Sequence, residues 1–184
     1  MSQKSGSFPT DEPARGEDSS PPAHLIRLHR HSLTNVLVIG GTAVRRDQVA
    51  RSFHRESPLR GGAFVGVDCS IDEENLRVAL HAWTQPVTGE PGGNPLGAVE
   101  HGTLFLDSVE RLSLETQRML MALARRLLGE PLAKVDVAIP GRLVVGNPRP
   151  LIQAISEGRF LAPLYDSLDK VRVELEIPAP GETT

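Results

Sequence analysis

At 184 residues, with a formal net charge of -3 and a pI near 6.1, the chain can bury one substantial core and has no cationic excess to suit a nucleic-acid duplex. The single Cys69 excludes an intrachain disulfide, and no uninterrupted apolar run approaches the roughly 20 residues that cross a bilayer. With no signal-peptide core near Met1, the expectation is a cytoplasmic protein with no direct DNA binding and no membrane association.

Residues 1–22 are rich in Ser, Pro, Gly and charge, with Phe8 as the one large apolar side chain, and read as a disordered tail. Residues 23–180 form the expected domain, and 181–184 a short tail. Within the domain, β-rich runs alternate with amphipathic segments, the pattern of an α/β fold with a parallel five-stranded sheet and helices on both faces. The expected strands are Asn35–Ile39, Ala63–Val67, Thr103–Asp107, Arg142–Val145 and Val171–Glu176, rich in Val, Leu, Ile or Phe and bounded by Gly, Pro, Asn or Asp. The expected helices are Arg46–His54, Glu73–His81 and Leu114–Leu128, each with apolar residues at helical spacing. Between Trp83 and His101, prolines and glycines break every period, so a long loop precedes the third strand.

The segment Gly40-Gly41-Thr42-Ala43-Val44-Arg45-Arg46-Asp47 lies between a strand and a helix, where a phosphate-cradling loop belongs. It departs from that motif. Arg45 stands where a glycine must leave room for backbone N–H groups to wrap a phosphate, and Arg46 stands where a compact Lys ammonium is needed. Two readings of the arginine pair follow: an anion held at a helix N-terminus, or a turn with solvated arginines. Asp107, ending a central strand, is placed where open α/β sheets bind ligands, and a cap for the next turn is its structural alternative. Ser108 follows it where catalysis would require a second acid. His24, His29 and His31 lack acidic or thiol partners at ligand spacing, and Cys69 reads as a buried, inert thiol.

In order along the chain, three blocks resemble the AAA+ domain of sigma-54-dependent transcription activators, the bacterial enhancer-binding proteins. The first joins Val36 to Gly40, Ala50 to Pro58 and Ala63 to Cys69; the second is Gly102 to Asp107 with Leu112 to Leu120; the third is Glu157 to Phe160 with Leu164, Tyr165 and Leu168. The resemblance covers roughly 25–180 and implies a three-layer P-loop NTPase-like fold and, in intact members, a ring-forming ATPase that acts on sigma-54. It also implies that Gly40, Gly41, Arg45, Arg46, Asp47 and Asp107 line a vestigial nucleotide site. The family's Gly-Thr-Gly-Lys-Glu corresponds to Ala43 to Asp47, its second Walker B acid to Ser108, its sensor Asn to the region of Asn147-Pro148, and its finger arginines to Leu161 and Ser167.

The sigma-contacting loop corresponds to Gln85 to Glu90, which keeps the Thr88-Gly89 pair alone. The family's helical lid is expected to be absent. The chain is therefore expected to be a pseudo-ATPase with no catalytic residues, no cofactor and no metal, acting through protein contacts in transcription regulation or signalling. Its expected partner is an intact AAA+ activator or its own oligomer, without direct sigma-54 contact. The alternative is a weak or partner-completed ATPase that binds ATP or ADP with Mg through Arg46 and Asp107.

Overall fold

Alternation along the strands divides the core in two. In β1 (Val36–Ile39), Val36 and Val38 face one side of the sheet while Leu37 and Ile39 face the other, and all four are buried. The computed structural model describes residues 21–84, 99–129 and 139–176. The tail over 1–20, most of the Trp83–His101 loop with its Gln85–Glu90 segment, and residues 177–184 lie outside the described residues.

The remaining strands are β2 (Phe64–Asp68), β3 (Thr103–Asp107), β4 (Arg142–Asn147) and β5 (Val171–Glu174). All pair in parallel in the order β2-β3-β4-β1-β5. On one face lie α1 (Pro21–Leu28) and α2 (Ala43–Arg55), which bury Ile26, Val49, Ala50 and Phe53 against Val36, Val38, Phe105, Val144 and Val173. The larger core lies on the other face, under α3 (Glu73–Thr84), α4 (Leu114–Leu127), α5 (Ile152–Ser156) and α6 (Ala162–Leu168). This is the three-layer α/β sandwich expected from the resemblance.

All five expected strands form: β3 has the expected bounds, and the others differ by one or two residues at an end. Four helices differ notably from expectation. Helix α1 begins at Pro21, two residues inside the expected tail, and α5 and α6 were not anticipated. More consequential is α2, which begins at Ala43, three residues before the expected start. Thr42 caps it, its Oγ1 accepting from Arg45 N at 3.3 Å, so the segment that would wrap a phosphate is wound into the first helical turn.

At the N-terminal end of the sheet, fully buried Arg142 holds α1 and α2 together. Its Nη1 donates to Phe53 O at 3.0 Å and its Nη2 to His29 O at 3.2 Å, two carbonyls at the C-terminal ends of those helices. Its Nε has no partner, and burial lowers its pKa to about 10.

Candidate functional site

Parallel topology brings the C-terminal ends of β1, β3 and β4 together, because β4 pairs with both of the others. Three features converge there: the Gly40-Gly41 turn after β1, Asp107 ending β3, and Gly146-Asn147 ending β4.

At the centre is Arg46. It is 3% exposed, and its guanidinium meets the Asp107 carboxylate, itself 5% exposed, in a two-pronged pair. Nε donates to Oδ1 at 2.6 Å and Nη2 to Oδ2 at 2.8 Å. Nη1 donates to Gly40 O at 3.1 Å and Gly41 O at 2.7 Å. Four hydrogen bonds thus commit the fork to the protein itself, and Asp107 is neither a solvent-facing ligand nor a helix cap.

The glycine pair makes this possible. Gly40 and Gly41 have φ of 86° and 62°, a region L-residues rarely adopt, and the turn so formed directs both carbonyls at Arg46. Their amides point elsewhere: Gly40 N donates to Asn147 O at 2.9 Å and Gly41 N to Glu176 O at 3.1 Å. Arg45 N is held by Thr42 Oγ1 and Arg46 N by Thr42 O. A phosphate cradle needs backbone N–H groups turned inward, and these four are otherwise engaged.

Gly146 completes the arrangement. A Cβ there would lie 2.3 Å from Asp107 Oδ1 and 3.2 Å from both Arg46 Cδ and Phe105 Cε2, so only glycine lets β4 pass beside the ion pair. Sequence reasoning did not single out this residue. The signal was a glycine interrupting the Leu143-Val144-Val145 run of a buried strand.

Of the six expected site residues, Gly40, Gly41, Arg46 and Asp107 meet. Arg45 and Asp47 do not: Arg45 is exposed on α2, and Asp47 accepts from Arg51 Nε at 2.7 Å on the helix surface. Arg46 is likewise not one of two solvated arginines. The neighbouring positions have structural employment. Ser108 adopts a left-handed conformation, φ 58° and ψ 41°, at the start of a 3₁₀ turn over Val109–Arg111. Buried Asn147 accepts from Glu110 N at 3.2 Å and donates to Arg149 O at 2.7 Å. Leu161 packs on the core, and Ser167 is buried with its Oγ donating to Pro163 O at 2.9 Å. Neither offers a charge to an adjoining molecule.

In this arrangement Asp107 is occupied by a guanidinium, the Gly40 and Gly41 carbonyls face Arg46, and the residue after Asp107 is Ser108. Elsewhere, Cys69 is 1% exposed, and burial followed by the charges of Asp107, Asp68 and Glu73 pushes its thiol well above the ordinary range. No group of His, Cys, Asp and Glu among the described residues could hold a metal ion, and no described helix is long and apolar enough to cross a membrane.

Comparison with known proteins agrees with this architecture. The model of the sigma-54 interaction domain matches residues 21–174. Similar curated proteins include the anaerobic nitric oxide reductase transcription regulator NorR of Aeromonas salmonicida, 30% identical over 79% of this chain and 30% of its own length. The transcriptional regulatory protein GlrR of Escherichia coli is 29% identical, over 86% of this chain and 36% of its own length. This chain therefore spans about a third of the curated relatives it matches. Among solved structures, NtrX from Brucella abortus in complex with ATP superposes with a TM-score of 0.65 at 23% identity, over 89% of this chain and 38% of that one. The P-loop NTPase domain of an E. coli sigma-54 activator gives 0.54 at 19% identity, over 78% and 97%.

Proposed function

The chain belongs to the sigma-54 interaction domain family, related to the sigma-54-dependent transcription activators, and we propose that it is a non-catalytic member acting through protein contacts. The observation that supports this reading is the Arg46–Asp107 pair, in which the strand-end carboxylate is already taken up by a guanidinium of the same chain. The helical start of α2 at Ala43 and the hydroxyl of Ser108 support it independently.

A partner-completed ATPase would first have to open that pair. Separating one member of a buried ion pair costs about 3–5 kcal/mol, and a binding-competent state so rare lowers apparent affinity by roughly a hundredfold or more. A neighbour's arginine could supply transition-state charge, but it could not supply the phosphate cradle.

The partner in this reading is an intact AAA+ activator or a second copy of this chain. It would engage the surfaces that intact members use to pack side by side. Calorimetry with Mg-ATP and Mg-ADP, together with an ATPase assay of wild type and Asp107→Ala, tests the first half of the proposal. Turnover that disappears in Asp107→Ala would refute it. A cross-linked pull-down from the native host tests the second half, with an intact activator or a cross-linked second copy as the expected product and recovery of the uncross-linked monomer alone as the refuting one.

A further inference from the structure

The chemistry around Arg46 points beyond a lost nucleotide site. In a phosphate loop the backbone turns N–H groups inward and creates an anion site. Here the turn after β1 presents Gly40 O and Gly41 O, while the Gly40 and Gly41 amides donate outward to Asn147 O and Glu176 O. Opposite these carbonyls stand both oxygens of Asp107. Every one of these inward-facing atoms is an oxygen acceptor, so the site's electrostatic sign is opposite to that of a phosphate cradle.

We infer that the β1–α2 turn, with Asp107 and Gly146, is a guanidinium receptor of inverted polarity, filled in the intact chain by Arg46. The inference rests on the non-catalytic reading of the same site and adds the class of ligand that the site recognises. Recognition is geometric as well as electrostatic. A planar fork delivers Nε and Nη2 side by side to one carboxylate and aims Nη1 between two carbonyls, which a compact ammonium cannot do. Gly146 supplies the clearance, its Cα side lying against Arg46 Cδ and the carboxylate.

Removing the side chain should therefore leave a vacancy that free guanidinium compounds fill. The Arg46→Ala variant melts at a lower temperature than wild type. Methylguanidinium, which replaces the guanidinium together with Cδ, raises that midpoint by several degrees at ~10 mM, as expected for a ligand that binds the folded state alone. Methylammonium at the same concentration does not, and neither compound moves wild type. Inorganic phosphate and Mg-ATP leave Arg46→Ala unchanged.

A rise with phosphate or Mg-ATP would overturn the inference, because it would reveal an anion cradle beneath the arginine. Equal effects of methylguanidinium and methylammonium would overturn it too. Should Arg46→Ala not fold, Arg46→Lys provides the second arm. It is expected to melt below wild type and to be indifferent to Mg-ATP, and stabilisation of it by Mg-ATP refutes the inverted polarity. ATP turnover by wild type would sink the non-catalytic reading, whereas the ligand class is decided by the melting curves alone.

Discussion

Substituting Gly146 tests the joint at its tightest point. An alanine Cβ would approach Asp107 Oδ1 to 2.3 Å, about an ångström inside ordinary contact, with Arg46 Cδ and Phe105 Cε2 both at 3.2 Å. β4 cannot retreat easily, since all six of its residues are buried and it is paired on both sides. The carboxylate must turn instead, which breaks at least one prong of the pair at 2.6 and 2.8 Å. Overpacking costs about 1–3 kcal/mol and a lost charge-assisted hydrogen bond about 1.5–3, so with partial relaxation Gly146→Ala should destabilise by about 2–4 kcal/mol. Urea unfolding followed by circular dichroism reads this as a lower midpoint at unchanged slope. Gly61→Ala is the control: its Cβ would meet nothing within 4 Å, so it should change stability by no more than about 1 kcal/mol. In an Asp107→Ala background the clash with the carboxylate vanishes, and the cost of Gly146→Ala should fall by at least about 1 kcal/mol. Equal costs in the two backgrounds, or a cost no larger than that of Gly61→Ala, would refute the reasoning.

Asp107→Ala alone should destabilise by about 3–5 kcal/mol by stranding a buried guanidinium, and adding Arg46→Met should recover part of that loss in the same urea assay. Ser108 has a φ of 58°, so Ser108→Gly should stabilise by about 0.5–1 kcal/mol, and a lower thermal midpoint would contradict the strain. Burial, then the charges of Arg142 and Arg51, lower the pKa of His54 below its ordinary 6.5, so the unfolded chain takes up a proton that the folded chain resists. Stability from this source is complete above that value and declines as pH falls through it; His54→Gln should flatten the urea-midpoint profile between pH ~8 and ~5, and an unaltered slope would assign the effect elsewhere. Arg142→Met should release α1, seen as faster amide exchange over residues 25–29 with the sheet's amides still protected; uniform loss of protection would deny the local clamp.

The sheet was legible because parallel strands buried on both faces read as near-continuous apolar runs, and residues 36–39, 104–106 and 143–145 are such runs of Val, Leu, Ile or Phe. The short helices were not, because α1, α5 and α6 have eight, five and seven residues, too few for a period to emerge. Pro21 and Pro163 lie in the first turns of α1 and α6, where a proline is well tolerated although it commonly marks a break elsewhere. The early start of α2 left one usable signal, Thr42, a cap residue three positions before Arg45. Glycines on its N-terminal side drew the reading toward a loop instead. The four converging site residues were named from the sequence, but not their relation, since a pair separated by 61 positions leaves no trace in periodicity. Had an arginine at the lysine position, a retained strand-end aspartate and a glycine in the strand between them been considered together, they would have suggested an internal ion pair.

In the non-catalytic reading proposed above, the contacts around Arg46 would also make the site hard to convert to nucleotide chemistry. Arg46 joins α2 to β3, Gly146 makes room for it, and the Gly40-Gly41 turn has its carbonyls committed to the same guanidinium. Ser167 and Leu161 fill core space on the opposite side of the sheet, and Gln117 ties that region down by donating to Arg159 O at 2.9 Å while accepting from Leu161 N at 2.9 Å. A lysine at 46 would leave two carbonyls and a carboxylate sharing one ammonium, while the Gly40 and Gly41 amides stay bonded to Asn147 O and Glu176 O. An arginine at 167 would place a charge in buried surroundings, and one at 161 would displace a leucine packed against the core. A covalently attached guanidinium thus holds the junction of β1, β3 and β4, with no binding entropy left to supply from solution.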